Sequence, residues 1–441
     1  MKKRRGFFAA VIAALILLSG CSIVEIDEMY SLPQANKEYL QLQELIDAEI
    51  AVGSEYSSPT AGSLRQSIQL TDLDGDGENE ALAFLRNKDL QPEICVYRKI
   101  DGNYVTAATI IGDGTAIGRV EYDDLNGDGV SEILTSWEVN AQMRLLKVYA
   151  LKDWAPSVLL TASCIDFQIG DLDSDGVSDL LALDLEMSGG NVDMYTIYKN
   201  GEIAAKSAKL SASLKTADRF RIGTLADGVP AVFVEGQYSA EDSSCILTDV
   251  IVCADGELRN IILGEASEDS VTKRHYSVYS TDIDGDGTLD VPIAEKLLSS
   301  ATSSADYYVF DWYSYDSSGN PTKCASTYHN YSDGWFYELP DEWRGKLCVR
   351  REGTVSGERN IVFSSVDGET GNLTDLLTIY TLTGENRTDK ATLDGRFILM
   401  NSGTVVYAAK INSDSSTAEA VQEIISRFHL ICSEWNSGAI S

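Results

Sequence analysis

Short apolar runs alternate with polar turns along most of this chain. Representative runs are residues 81–85, 93–97, 145–149, 180–183, 194–198, 246–252 and 307–313. They are too short for amphipathic helices, are rich in β-branched and aromatic residues, and end at turn signals. They therefore predict buried strands. The turns are Asp101-Gly102, Lys152-Asp153, Asn200-Gly201, Asp255-Gly256 and Ser318-Gly319. Near residue 330 the pattern changes. Strands are expected at 346–350, 360–364, 376–382, 395–400 and 404–411, followed by a helix with Ser416 and Glu419 as a capping box. Val421, Ile424, Ile425, Phe428 and Ile431 would form the apolar face of that helix.

A repeat underlies the first part. Asp72-Leu73-Asp74-Gly75-Asp76-Gly77 recurs as Asp124-Leu125-Asn126-Gly127-Asp128-Gly129, as Asp171-Leu172-Asp173-Ser174-Asp175-Gly176 and as Asp282-Ile283-Asp284-Gly285-Asp286-Gly287. A worn copy at residues 222–229 keeps only the Asp227-Gly228 turn. The copies start at 72, 124, 171, 224 and 282, a spacing of about 50 residues that suits a unit of four short strands.

Alternating acids in a tight loop suit calcium, a hard cation that takes six to eight oxygens. In the first loop the ligands would be Asp72, Asp74 and Asp76, the Glu78 carbonyl and the Glu80 carboxylate. The second would use Asp124, Asn126, Asp128, Val130 and Glu132. The third would use Asp171, Asp173, Asp175, Val177 and Asp179, and the fourth Asp282, Asp284, Asp286, Thr288 and Asp290. A helix–loop–helix calcium hand would close with an acid at loop position twelve. Here those positions hold Ala83, Thr135, Ala182 and Ile293, within strand-like flanks. About four calcium ions in a structural role are expected.

With these loops the chain resembles the FG-GAP and VCBS repeat families over residues 60–325. The resemblance implies a mainly β fold: a β-propeller of about five four-stranded blades with calcium-type DxDxDG loops, and a small α+β C-terminal domain. A sixth blade could come from residues 30–65. The run Phe336 to Trp343 with the strands after it is similar to the PsbP-type α+β sandwich.

Charge and the N-terminus add an address. The chain has 441 residues and a formal net charge of -33, which disfavours phosphate backbones and so nucleic acid. Lys2, Lys3, Arg4 and Arg5 precede an apolar stretch ending in Leu18-Ser19-Gly20-Cys21. That pattern resembles a bacterial lipobox, with Cys21 lipidated. The expected layout is a signal segment at 1–21, a linker or helical segment at 22–59, the propeller at 60–328 and the α+β domain at 329–441. The protein would be an extracytoplasmic monomer tethered to the membrane through Cys21.

Three histidines, none in a zinc spacing, and seven cysteines besides Cys21 offer no clear metal or disulfide framework. No GxSxG elbow, HExxH helix or phosphate loop occurs. The expected function is therefore a non-enzymatic calcium-binding scaffold presenting loops to a protein or glycan. The alternatives are a glycan hydrolase or lyase working in the propeller funnel and an envelope assembly factor. Glu235 and Glu295 are the carboxylates outside the loops that would favour an enzyme if they lay in a concave site.

Overall fold

The computed structural model describes residues 37–140, 143–186, 189–263, 270–298, 306–412 and 417–431. Cys21 and Ser416 lie outside them. The fold is mainly β and propeller-like, built from antiparallel sheets that follow one another along the chain. The second, third and fourth sheets have four strands each, spanning 116–164, 166–209 and 219–260. The first sheet (55–111) has five, because Glu55–Tyr56 and Ile68–Thr71 share one edge of Glu80–Arg86. Most hairpins turn where the sequence indicates. Asp101 and Gly102 have φ of 50° and 74°, and Asp255 and Gly256 have 53° and 79°, the left-handed pair that a two-residue hairpin needs. The turn expected at Lys152-Asp153 lies one residue further on, at Asp153 and Trp154.

The second residue of the first three acidic loops, and of the worn copy, locks neighbouring sheets together. Leu73, Leu125, Leu172 and Leu225 are all essentially excluded from solvent. Leu73 packs in the core between sheets one and two, Leu125 between two and three, Leu172 between three and four, and Leu225 between four and five. Burying a leucine contributes about 1.5–3 kcal/mol. The repeat therefore carries stacking energy independently of any ion. Backbone bonds reinforce the stacking: Ser131 N–H donates to Leu73 O at 2.7 Å, and Leu289 N–H to Thr224 O at 3.0 Å.

The two ends of the stack are closed differently. The helix Lys37–Ala51 lays Leu42 and Ile46 on the outer face of the first sheet, against Ala81, Ala83, Cys95 and Tyr97. At the other end the fifth sheet shares a core with the sixth, through Tyr328, Trp335, Tyr337, Val349, Phe363 and Ile379. Among the described residues no hydrophobic cluster joins the sixth sheet to the first.

Three expectations near the C-terminus change. Trp335–Glu338 is itself a strand, added to the fifth sheet. The terminal helix runs only over Ala418–Ser426 and is capped by Thr417, whose hydroxyl accepts the Ala420 N–H at 3.2 Å. Phe428, expected on the helix face, starts the strand Phe428–Leu430, which pairs with Trp335–Tyr337. The unpaired backbone edge of Trp335–Glu338 explains the switch, since buried N–H and C=O groups need partners.

Candidate functional site

Two constellations stand out: the acidic loops on one rim, and a groove along the inner edge of the sheets. In the first loop Asp72 accepts the N–H groups of Gly75 at 2.8 Å and Gly77 at 2.9 Å. Asp282 does the same for Gly285 and Gly287. Asp124 and Asp171 hold the corresponding turns through Asp128, Gly129, Asp175 and Gly176. Gly77, with φ of 88°, supplies the conformation the turn requires.

The closing acids are buried and double as struts. Glu80 accepts the Leu73 N–H at 2.9 Å, Glu132 that of Leu125 at 3.0 Å, Asp179 that of Leu172 at 3.1 Å and Asp290 that of Ile283 at 3.1 Å. Burial pushes the carboxyls of Glu80 and Glu132 up to about 7 and raises those of Asp179 and Asp290.

Three loops gather carboxylate oxygens within 4.8 Å of one another: Asp72, Asp74 and Glu80; Asp171, Asp173 and Asp179; Asp282, Asp284 and Asp290. The second loop differs, because Asn126 spends its amide on Glu132 at 2.7 Å. Asp76, Asp128, Asp175 and Asp286 stand outside these groups, each accepting the N–H two residues on, from Glu78, Val130, Val177 and Thr288. In the third loop Lys206 Nζ sits 3.6 Å from Asp173 Oδ2, while Asp173 Oδ1 is buried without a hydrogen bond.

The groove has a volume of about 640 Å³ and is walled by the edge strands Ala116–Asp123, Asp166–Gly170 and Arg219–Thr224 and by residues 61–65. Arg65, Arg119, Arg144 and Arg219 line it together with Glu121, Asp166 and Asp218. Side chains tie each inner strand to the next. Arg119 Nη1 donates to Phe167 O at 2.6 Å, Gln168 Nε2 to Phe220 O at 2.7 Å, and Arg221 to Ser280 O.

Asp166 is the distinctive group. Its Oδ1 accepts its neighbour Phe167 N–H at 2.8 Å and faces Arg119 Nη1 at 3.4 Å. Its Oδ2 has no protein partner among the described residues. The side chain keeps 44% exposure, yet the walls exclude enough water to raise its pKa. The Phe167 N–H and the charges of Arg119 and Arg144 oppose that rise.

Sequence reasoning did not single out these groups, although the repeat carries the signal. Arg119, Asp166 and Arg219 each stand five residues before a repeat start, at 124, 171 and 224. Strand alternation then puts Glu121, Gln168 and Arg221 on the same face. Of the two carboxylates that would favour an enzyme if they lay in a concave site, Glu235 is fully buried against Arg274, whereas Glu295 does line a separate cleft.

No protein-family model matches the chain, and no curated protein does. Among solved structures it is similar to a Lactobacillus plantarum protein at 13% identity and TM-score 0.29, over 72% of this chain and 85% of that one. A Bacteroides fragilis protein described as a putative 6-phosphogluconolactonase matches at 15% identity and TM-score 0.28, over 73% and 92%. The periplasmic gluconolactonase of Pseudomonas aeruginosa matches at 12% and 0.29, over 74% and 95%. These findings correct the expected FG-GAP, VCBS and PsbP-type kinship: no such family matches, and the named neighbours are of gluconolactonase type. The non-enzymatic scaffold, expected from the tether, the repeat and the lack of catalytic motifs, is corrected likewise, the named neighbours being described as gluconolactonases. At these identities and TM-scores the likeness transfers no substrate and no residue role to this chain.

Proposed function

We propose that the inner groove binds a small anionic molecule and hydrolyses an ester or lactone bond in it. The observation that carries this reading is Asp166, a carboxylate of raised pKa with one free oxygen, set among arginines. In a chain of net charge -33, a cleft holding Arg65, Arg119, Arg144 and Arg219 selects anions against the general field. Arg144 gives one nitrogen to Ile165 O at 2.8 Å. Its remaining N–H groups suit an oxyanion. Asp166 takes a proton from water as the water oxygen adds to the carbonyl carbon, then returns that proton to the departing alkoxide. The test is turnover of a panel of anionic esters and sugar lactones. Asp166→Asn is expected to lower kcat about 100-fold or more with little change in KM, and Arg144→Met to raise KM. Binding without turnover, or an Asp166→Asn variant of full activity, would sink the hydrolytic reading.

The acidic loops fit calcium as a structural ion beside that site. Three gathered carboxylates repel one another unless a cation joins them, and Asp173 Oδ1 is buried with no other partner. The ligands would be the loop residues named above, with the second loop the weakest because of Asn126. This reading takes the first five sheets as about five propeller blades, each bound to the next at its loop. It also keeps a monomer exported and tethered through Cys21, which mass spectrometry of the membrane fraction would test.

A further inference from the structure

A second cleft opens between the fifth sheet and the turn that leads into the sixth. Val291–Lys296 and Tyr308–Tyr315 pair with Ile293 opposite Asp311 and Glu295 opposite Val309. Glu295, Val309 and Asp311 therefore share one face. Leu339, Pro340 and Trp343 form the opposing wall, and the enclosed volume is about 120 Å³. A closed cavity of roughly 150 Å³ holds a benzene ring, so this somewhat smaller but open cleft takes most of a ring, the rest projecting at its mouth.

The charges around the cleft are matched except at one point. Arg344 pairs with Asp341 at 2.9 Å and Lys296 with Asp306 at 2.8 Å. Lys323 pairs with Asp311 at 2.5 Å, and Ser326 donates to the other oxygen of Asp311 at 2.8 Å. Among the described residues Glu295 bonds to Asp311, itself an acid, and has no ion pair of its own, since Lys323 and Arg344 act on it only from their pairs with Asp311 and Asp341. One positive charge would complete the set. We propose that this cleft binds a compact apolar amine, its ammonium on Glu295 and its hydrocarbon body against Trp343, Leu339 and Val309.

The inference does not depend on the groove, since the two clefts share no residue. The probes are benzylamine and its neutral analogue benzyl alcohol, titrated into the full chain by calorimetry and by indole chemical shifts. Benzylamine is expected to bind more tightly than the alcohol and to shift a tryptophan resonance that Trp343→Phe removes. Glu295 is exposed, so Glu295→Gln should fold normally. It should weaken benzylamine about tenfold or more, the worth of a hydrogen bond to a charged group, and leave the alcohol within about twofold. Equal affinity for the two probes, unchanged amine binding in Glu295→Gln, or no binding of either probe at millimolar concentration would each overturn the proposal.

Discussion

Arg274 and Glu235 form an ion pair at 3.2 Å with both side chains completely shielded from solvent. The carboxylate is saturated on one side only. Glu235 Oε1 also accepts from Thr248 Oγ1, Ser280 N and Ser280 Oγ, whereas Oε2 has no hydrogen bond and its nearest cation is Arg221, 4.0 Å away. The pair joins the fourth sheet to the segment that enters the fifth, so it holds the stack rather than a substrate.

Removing one member should therefore leave a stranded charge. Arg274→Met is expected to lower unfolding free energy by about 3–5 kcal/mol in urea titration. The double variant Arg274→Met/Glu235→Leu should lose less than the sum of the two single changes. Strict additivity would mean that the residues are not coupled.

The cap on the first sheet makes a sharper comparison. Ile46 is fully buried against that sheet, while Leu40 on the same helix is 52% exposed. Ile46→Ala should cost about 2 kcal/mol or more, and Leu40→Ala should stay within about 0.5 kcal/mol. Equal effects in thermal unfolding would show that the helix does not depend on this contact.

These cases show which features a single sequence displays. The acidic loops were legible because spacing, glycine and the apolar second residue recur together, and Leu73, Leu125 and Leu172 do carry the stacking. The groove was not, because Arg65 comes from a loop, Arg119 and Arg144 from two strands of the second sheet and Arg219 from the fourth, each looking like ordinary surface polarity. Only the offset of Arg119, Asp166 and Arg219 from each repeat start betrays them. Phe428 was misplaced for another reason. A helical apolar stripe and a short strand look alike over three residues, and only the open edge of Trp335–Glu338 decides between them.

Lys206 tests the calcium reading of the loops directly. Its ammonium lies 3.6 Å from Asp173 and 3.4 Å from Cys253 Sγ, where it competes with a cation in the third loop. Calcium, but not magnesium, should raise the melting temperature, and Lys206→Met should enlarge that rise. A tenfold gain in affinity at one saturated site adds about 1.4 kcal/mol. A melting temperature indifferent to calcium and chelator would remove the ion from the loops altogether.

His329 provides a pH signature. It is buried among Phe310, Trp312 and Phe336, and burial holds its pKa down to about 3. Trp312 Nε1 donates to Thr327 Oγ1 at 2.7 Å, which leaves the Thr327 proton for His329 Nε2 at 2.9 Å. The ring is thus neutral, with its own proton on Nδ1 facing Tyr331 OH at 3.4 Å. In the unfolded chain the same ring has a pKa of about 6.5. Below that pH the unfolded state binds a proton that the folded state refuses, so this contribution is complete above pH 6.5 and is lost as pH falls toward 3. Between pH 7 and pH 5 the loss is about 2 kcal/mol. It depends only on the unfolded pKa as long as the folded value stays well below 5. His329→Gln should be less stable than the native chain at pH 7, and the gap should shrink by about that amount at pH 5 in urea titrations. Carboxylates elsewhere titrate equally in both proteins and cancel in the difference. A gap that stays constant from pH 7 to pH 5 would mean that His329 is not held neutral.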